Sequence, residues 1–128
     1  MIGGQKMTND NRATIAYIAG YYISNRKPTS VYDRISSKYI SMTGSNMDGD
    51  KITIYNNNLR CSFSISKFGA KYNIRNQKDN SSIELTISGS TFKGYDYKSS
   101  KFYEGRVMGT SISIHDYETS QHYEYSIS

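Results

Sequence analysis

From Lys51 onward the chain repeats itself with a period of 20 residues. Lys51 to Ala70 reads KITIYNNNLRCSFSISKFGA, Lys71 to Ser90 KYNIRNQKDNSSIELTISGS, Thr91 to Thr110 TFKGYDYKSSKFYEGRVMGT, and Ser111 to Ser128 SISIHDYETSQHYEYSIS. An imperfect first copy, SVYDRISSKYISMTG, begins at Ser30. A fixed period of this length constrains architecture before any single residue does, because each copy is one supersecondary unit whose apolar face is buried only by its neighbours. Within a copy, apolar and polar residues alternate as a half-buried strand requires. Ile112 and Ile114 share one face, as do Tyr123, Tyr125 and Ile127.

Between copies stand the pairs Phe68-Gly69, Ser88-Gly89 and Met108-Gly109, with Asp48-Gly49 in a longer first connection. A glycine there supplies the positive φ that two-residue hairpin turns demand, so each copy is a hairpin and the copies form a meander. With Ser88-Gly89 as the turn, Ile87 faces Ser90, Leu85 faces Phe92 and Ile83 faces Gly94. A second turn, near Lys98-Ser99 or Glu118-Thr119, sets Phe92 against Gly105 and Gly94 against Tyr103, an aromatic ring covering each glycine where the sheet bends. The predicted fold is all-β with one short N-terminal helix. About ten antiparallel strands form a meander, either a closed barrel or a strongly curved sheet around the helix. The alternative is a β-solenoid with the helix as its cap. Inward rows run through Ile54, Phe63, Ile74, Ile83, Gly94, Tyr103, Ile114 and Tyr123, and through Ile52, Ile65, Tyr72, Leu85, Phe92, Gly105, Ile112 and Tyr125.

The helix is the apolar run from Ala13 to Ile23, framed by Thr8, Asn9, Asp10 and Asn11 as caps and by Asn25 to Pro28 as a stop. It has no polar face, which makes it a core plug or a lid. It is too short to span a bilayer, for which about 20 residues are needed, and it lacks the flanks of a secretory signal. Residues 1–10 are expected to be a flexible lead, with Met1 to Lys6 a start-site extension. Residues 11–128 form a single domain, with the helix at about 12–24 and five hairpin repeats over 29–128. One cysteine, Cys61, excludes an intramolecular disulfide and fits a reducing, cytoplasmic setting. The net charge of +5 is spread without a basic block, so it serves solubility first and leaves nucleic acid as an alternative partner.

The elements Ser30-Val31-Tyr32-Asp33, Gly94-Tyr95-Asp96-Tyr97 and Ile114-His115-Asp116-Tyr117 resemble those of small uncharacterised bacterial proteins built from repeated hairpins with VYDY-like motifs. The resemblance covers Ala13 to Ser128 and includes the helix segment AYIAGYYIS. The middle copies depart from it, with Tyr55-Asn56-Asn57 and Arg75-Asn76-Gln77 in place of the aromatic-acid-aromatic pattern. The resemblance implies the hairpin fold and brings no catalytic residue with it.

The derived register aligns Tyr32, Tyr39, Tyr55, Ser62, Arg75, Ser82, Tyr95, Phe102, His115 and His122 in one lateral row on the outer face. Rings and a guanidinium dominate this row, which suits stacking on bases or anchoring a protein. Tyr32, Tyr39, Tyr55, Arg75, Tyr95, Phe102, His115 and His122 are therefore the candidate partner-binding stripe. The competing role is cross-strand pairing that stabilises the sheet by about 0.2 to 1 kcal/mol per pair. A neighbouring row of Glu84, Lys93 and Glu104 reads as a solvated face. His115 and His122 face each other but lack an evident third ligand, so they are taken as a surface pair. Asp96, Lys101 and Asp116 are expected side by side near one rim as an ion-pair ladder, and Cys61 as a buried structural thiol.

No phosphate loop, metal-ligand spacing or nucleophile elbow occurs, so no catalytic, cofactor or metal site is predicted. The expected function is that of a small, non-catalytic intracellular binding or inhibitor protein acting on a macromolecule. Compactness without catalytic motifs suits a phage or mobile-element anti-defence protein of the anti-CRISPR type. The alternatives are a small-ligand carrier barrel lined by Tyr72, Tyr103, Tyr123 and Tyr125, and a structural subunit assembling through sheet edges.

Overall fold

The structure, a computed structural model, describes residues 7–117 and 119–128. They form helix α1 (Asn9–Ser24) and ten strands: β1 (Ser30–Asp33), β2 (Lys38–Ser45), β3 (Lys51–Asn56), β4 (Cys61–Phe68), β5 (Lys71–Asn76), β6 (Ser82–Ser88), β7 (Thr91–Asp96), β8 (Lys101–Met108), β9 (Ser111–Asp116) and β10 (Gln121–Ile127). Each strand pairs antiparallel with its sequence neighbours, and β1 pairs with β10 through Val31–Ile127, Tyr32–Ser126 and Asp33–Tyr125. The meander thus closes into a barrel and leaves none of its strands with a free edge, which excludes the solenoid.

The glycine turns are displaced by one residue from the predicted positions. Phe68 lies opposite Lys71, Ser88 opposite Thr91 and Met108 opposite Ser111, so the two-residue loops are Gly69-Ala70, Gly89-Ser90 and Gly109-Thr110. In each the glycine is the first loop residue, at φ of 60° or 61°, while Ala70, Ser90 and Thr110 keep negative φ. This is the II′ pattern, in which only the first loop position needs glycine. Ile87 therefore faces Phe92 and Leu85 faces Gly94. The predicted pairs across the second turn stand unchanged: Phe92 faces Gly105 and Gly94 faces Tyr103.

Moving each turn by one residue preserves every residue's face and changes every row. The inner residues stay inside, but each row steps along the strands as it crosses a glycine turn. One row runs Ile52, Ile65, Ile74, Ile83, Asp96; another runs Tyr72, Leu85, Gly94, Tyr103, Asp116. A closed barrel requires such a stagger, because its strands must tilt against the axis. Level rows of the predicted kind describe a sheet that cannot close.

The interior is filled by α1. Residues Asn11 to Gly20 are buried, with Ala13, Ile15, Ala16 and Ala19 wholly so, against the apolar faces of β1, β6, β8, β9 and β10. The helix starts earlier than expected. Thr8 caps it, accepting a hydrogen bond from Asn11 N at 3.2 Å, and Asn25 ends it in the left-handed conformation at φ 58°. The expected flexible lead is corrected over residues 7–10. Met7 is buried and its carbonyl accepts from Arg12 Nη1 at 2.9 Å, while Met1 to Lys6 lie outside the described residues.

Outward strand positions such as Lys51, Thr53, Ser64, Asn73, Glu84, Lys93 and Glu104 are polar. A membrane barrel shows an apolar band there instead. Among the described residues no helix is long and apolar enough to cross a membrane.

Candidate functional site

Strand parity decides which side chains reach the outer surface. Tyr95 and Phe102 lie directly opposite each other across the β7–β8 hairpin, with ring centroids 4.9 Å apart at 69°. Tyr97, just past β7, sets its edge on Tyr95 with centroids also 4.9 Å apart. On the far side of β8, Tyr117 N donates to Phe102 O at 3.2 Å, and the Tyr117 ring packs on His115 with centroids 4.6 Å apart. Tyr97, Phe102 and Tyr117 are 53%, 65% and 48% exposed, so these rings are open to a partner.

A groove of about 420 Å³ runs beside them, lined by Lys71, Glu84, Lys93, Tyr95, Phe102 and Tyr117 among others. Both of its carboxylates are bonded. Lys71 Nζ lies 3.0 Å from Glu84 and, by donating to it, holds that carboxyl below the usual range. Tyr117 donates to Glu104 Oε1 at 2.5 Å, and the carboxylate raises the phenol's pKa, keeping Tyr117 a donor.

The predicted stripe is dissolved into separate hairpin pairs. Tyr32 and Tyr39 pack at 4.5 Å, Tyr55 faces Ser62, Arg75 faces Ser82, and His115 packs on His122 at 4.5 Å. Between hairpins the stagger parts them. Tyr55 meets Thr43 rather than Tyr39, Arg75 meets Ser64, Tyr95 meets Glu84, and His115 meets Glu104 rather than Phe102. The Glu84–Lys93–Glu104 row is likewise broken, since Lys93 stands between Thr86 and Glu104. Of the stripe, Tyr95 and Phe102 group with Tyr97, while His115 and His122 group with Tyr117. Sequence reasoning left out of the stripe Tyr97 and Tyr117, which follow the acid of each motif and lie just past β7 and β9.

It also missed a ring of polar side chains inside one mouth of the barrel. Asp33, Asn56, Asn76, Asp96 and Asp116 end the odd-numbered strands, point inward and are at most 4% exposed. Asn76 precedes a five-residue loop and the other four precede loops of four residues. Asp33 accepts from Ile35 N and Ser36 N at 3.0 and 3.3 Å, Asn56 from Asn58 N and Leu59 N at 3.0 and 3.1 Å, and Asn76 from Lys78 N at 2.9 Å. Asp96 accepts from Lys98 N and Ser99 N at 3.3 and 3.1 Å.

The first turn of α1 closes this mouth. Asn9 donates to Asp33 at 3.0 Å and accepts from Tyr125 OH at 2.6 Å, and Asn76 donates to Asn11 at 3.0 Å. Arg12 pairs with Asp116 at 3.2 Å, its guanidinium 3.8 Å above the Tyr123 ring. The expected Asp96–Lys101–Asp116 ladder is thereby corrected. Lys101 is opposite Asp96, but Asp116 lies opposite Tyr103 and turns inward to Arg12. Burial raises the Asp96 pKa against the pull of its loop hydrogen bonds. Cys61 is 7% exposed, and burial also raises its thiol pKa, which fits an unreactive group. Compared with protein-family models, curated proteins and solved structures, the chain matches none.

Proposed function

We propose that the protein is a small, non-catalytic binding or inhibitor protein whose outer face over β7 to β9 engages a macromolecule. The observation that carries this is the exposed group of Tyr95, Tyr97 and Phe102, with Tyr117 lining the same groove as Tyr95 and Phe102. Contiguous exposed aromatics mark interaction surfaces, and Tyr and Phe bring large contact area at low entropic cost. A protein partner fits best, because Glu84 and Glu104 beside the rings disfavour a phosphate backbone. Nucleic acid is the second reading, supported by the net charge of +5. An anti-defence role of the anti-CRISPR type is compatible with this small scaffold and names one class of partner to try. The helix-filled interior and the closed ring weigh against the carrier and edge-assembly readings.

The test is capture of partners from the source cell by the wild-type chain and by Y95A/F102A/Y117A. The variant should fold, since all three side chains lie on the outer surface, and should lose the partner. A folded variant that retains the partner at equal affinity rejects this surface. Binding that weakens steeply with added salt points to phosphate contacts and so to the nucleic-acid reading.

A further inference from the structure

We propose that His115 and His122 form a surface site for a divalent transition metal, with Zn²⁺, Ni²⁺ and Cu²⁺ as the matching ions. The two residues are direct cross-strand partners in the last hairpin, and His115 Nδ1 lies 3.1 Å from His122 Nε2. Metal–imidazole bonds of about 2.0–2.1 Å put neighbouring ligand nitrogens about 3.3 Å apart in a tetrahedral site and about 2.9 Å apart in a square one. The observed spacing falls between them, so a metal can enter by small ring rotations without moving the strands.

In the metal-free protein the same spacing is a hydrogen bond in which one ring donates to the other. For both nitrogens to coordinate, the donor ring shifts its hydrogen to its other nitrogen. Two neutral imidazoles thus become two ligands with no net loss of a proton. Orientation is already restricted. His115 is wedged at 72° against Tyr117 with centroids 4.6 Å apart, and Tyr117 is itself fixed by Glu104.

Charge near the pair is mixed. Lys93 and Arg106 line the same open groove of about 440 Å³ and oppose a cation. Glu104 stands opposite His115, and Glu124 lies two residues beyond His122 on the same face, its carboxylate accepting from Ser113 at 2.6 Å. Among the described residues no three His, Cys, Asp or Glu side chains converge as a ready metal cage. The site is therefore a two-imidazole one completed by water, open to a further ligand from a partner. Imidazole suits these ions, and copper should bind most tightly by the usual order of divalent metals.

The experiment titrates the full chain with Zn²⁺ and with Ni²⁺ at neutral pH by calorimetry, beside H115N, H122N and the double variant. Paramagnetic broadening by Ni²⁺ is mapped by NMR on the wild type. One equivalent should bind, each single variant should lose about tenfold or more in affinity, and broadening should centre on His115, His122 and Tyr117. The wild-type broadening map decides the matter even if a variant folds poorly. The proposal is overturned by no binding at millimolar metal, by a double variant that binds as the wild type does, or by broadening centred elsewhere.

Discussion

Asp96 is a buried carboxyl whose position in the repeat is held by Asn56 and Asn76 in two other copies, where an amide oxygen accepts the same loop hydrogen bonds. Burial raises its pKa above the ordinary 3.8. The protonated form is thus favoured by folding, and the stability it contributes is full below 3.8 and lost as pH rises through the folded value. D96N carries no such loss. Its thermal midpoint relative to wild type should improve steadily from acid to neutral pH, and a flat or falling difference would sink this account. Gly94 makes a stricter demand. A Cβ there would lie 1.9 Å from Glu84 O, a backbone atom with no room to yield, and 2.4 Å from the Tyr103 hydroxyl, which donates to that carbonyl at 2.7 Å. G94A should therefore cost about 3 kcal/mol or more in urea unfolding. Y103F, which removes only the hydroxyl, should cost about 1 kcal/mol. Equal effects of the two would show that the close approach is not the governing contact.

For α1, the decisive contacts lie in its first turn. Asn9, Asn11 and Arg12 fix the rotation of the helix where Asp33, Asn76 and Asp116 meet them, and further along Tyr17 OH donates to Pro28 O at 3.0 Å. Arg12 and Asp116 are both buried, at 10% and 1% side-chain exposure, so deleting Arg12 removes the cation that faces the Asp116 carboxyl at 3.2 Å. R12M should destabilise by about 3–5 kcal/mol, and R12M/D116N should recover much of that loss. A double variant no more stable than R12M would mean that packing of the Arg12 stem on Tyr123 matters more than the charge. The polar ring was within reach of the sequence. Parity carries Ile52, Ile54 and Asn56, or Ile112, Ile114 and Asp116, onto one inner face, and the acid of each motif precedes a turn whose amides need an acceptor. What the sequence could not supply was the partner, because the helix lies up to 116 residues away from the strands it locks.

Across the whole barrel, helix and ring form one core, with Ile15, Ile18, Phe63, Leu85, Phe92 and Tyr125 buried together. The amides of Ile15 to Ala19 should exchange with solvent only by global unfolding, at the same free energy as the slowest amides of β3 and β4. Faster exchange of the helix by a partial opening would show that the plug moves independently. The same closure distributes the outer surface. Because rows climb as they cross the glycine turns, the aromatic pairs of successive hairpins end at different heights. On β7 to β10 rings gather in two groups, Tyr95 with Tyr97 and Phe102, and Tyr117 with His115 and His122.

Alternation, glycine spacing and the uniformly apolar helix were local facts, and they were enough to specify ten strands, their inner faces and a plug, because a side chain's face depends only on its parity within a strand. Height along the barrel is a different kind of quantity. It is set by where a glycine sits within its turn, and then by the stagger that all ten strands must share for β1 to meet β10. That collective condition separated His115 from Phe102, set it beside Glu104 and brought Tyr117 level with Phe102 instead. Which residues face outward was therefore settled strand by strand. Which of them stand together was decided only when the ring closed.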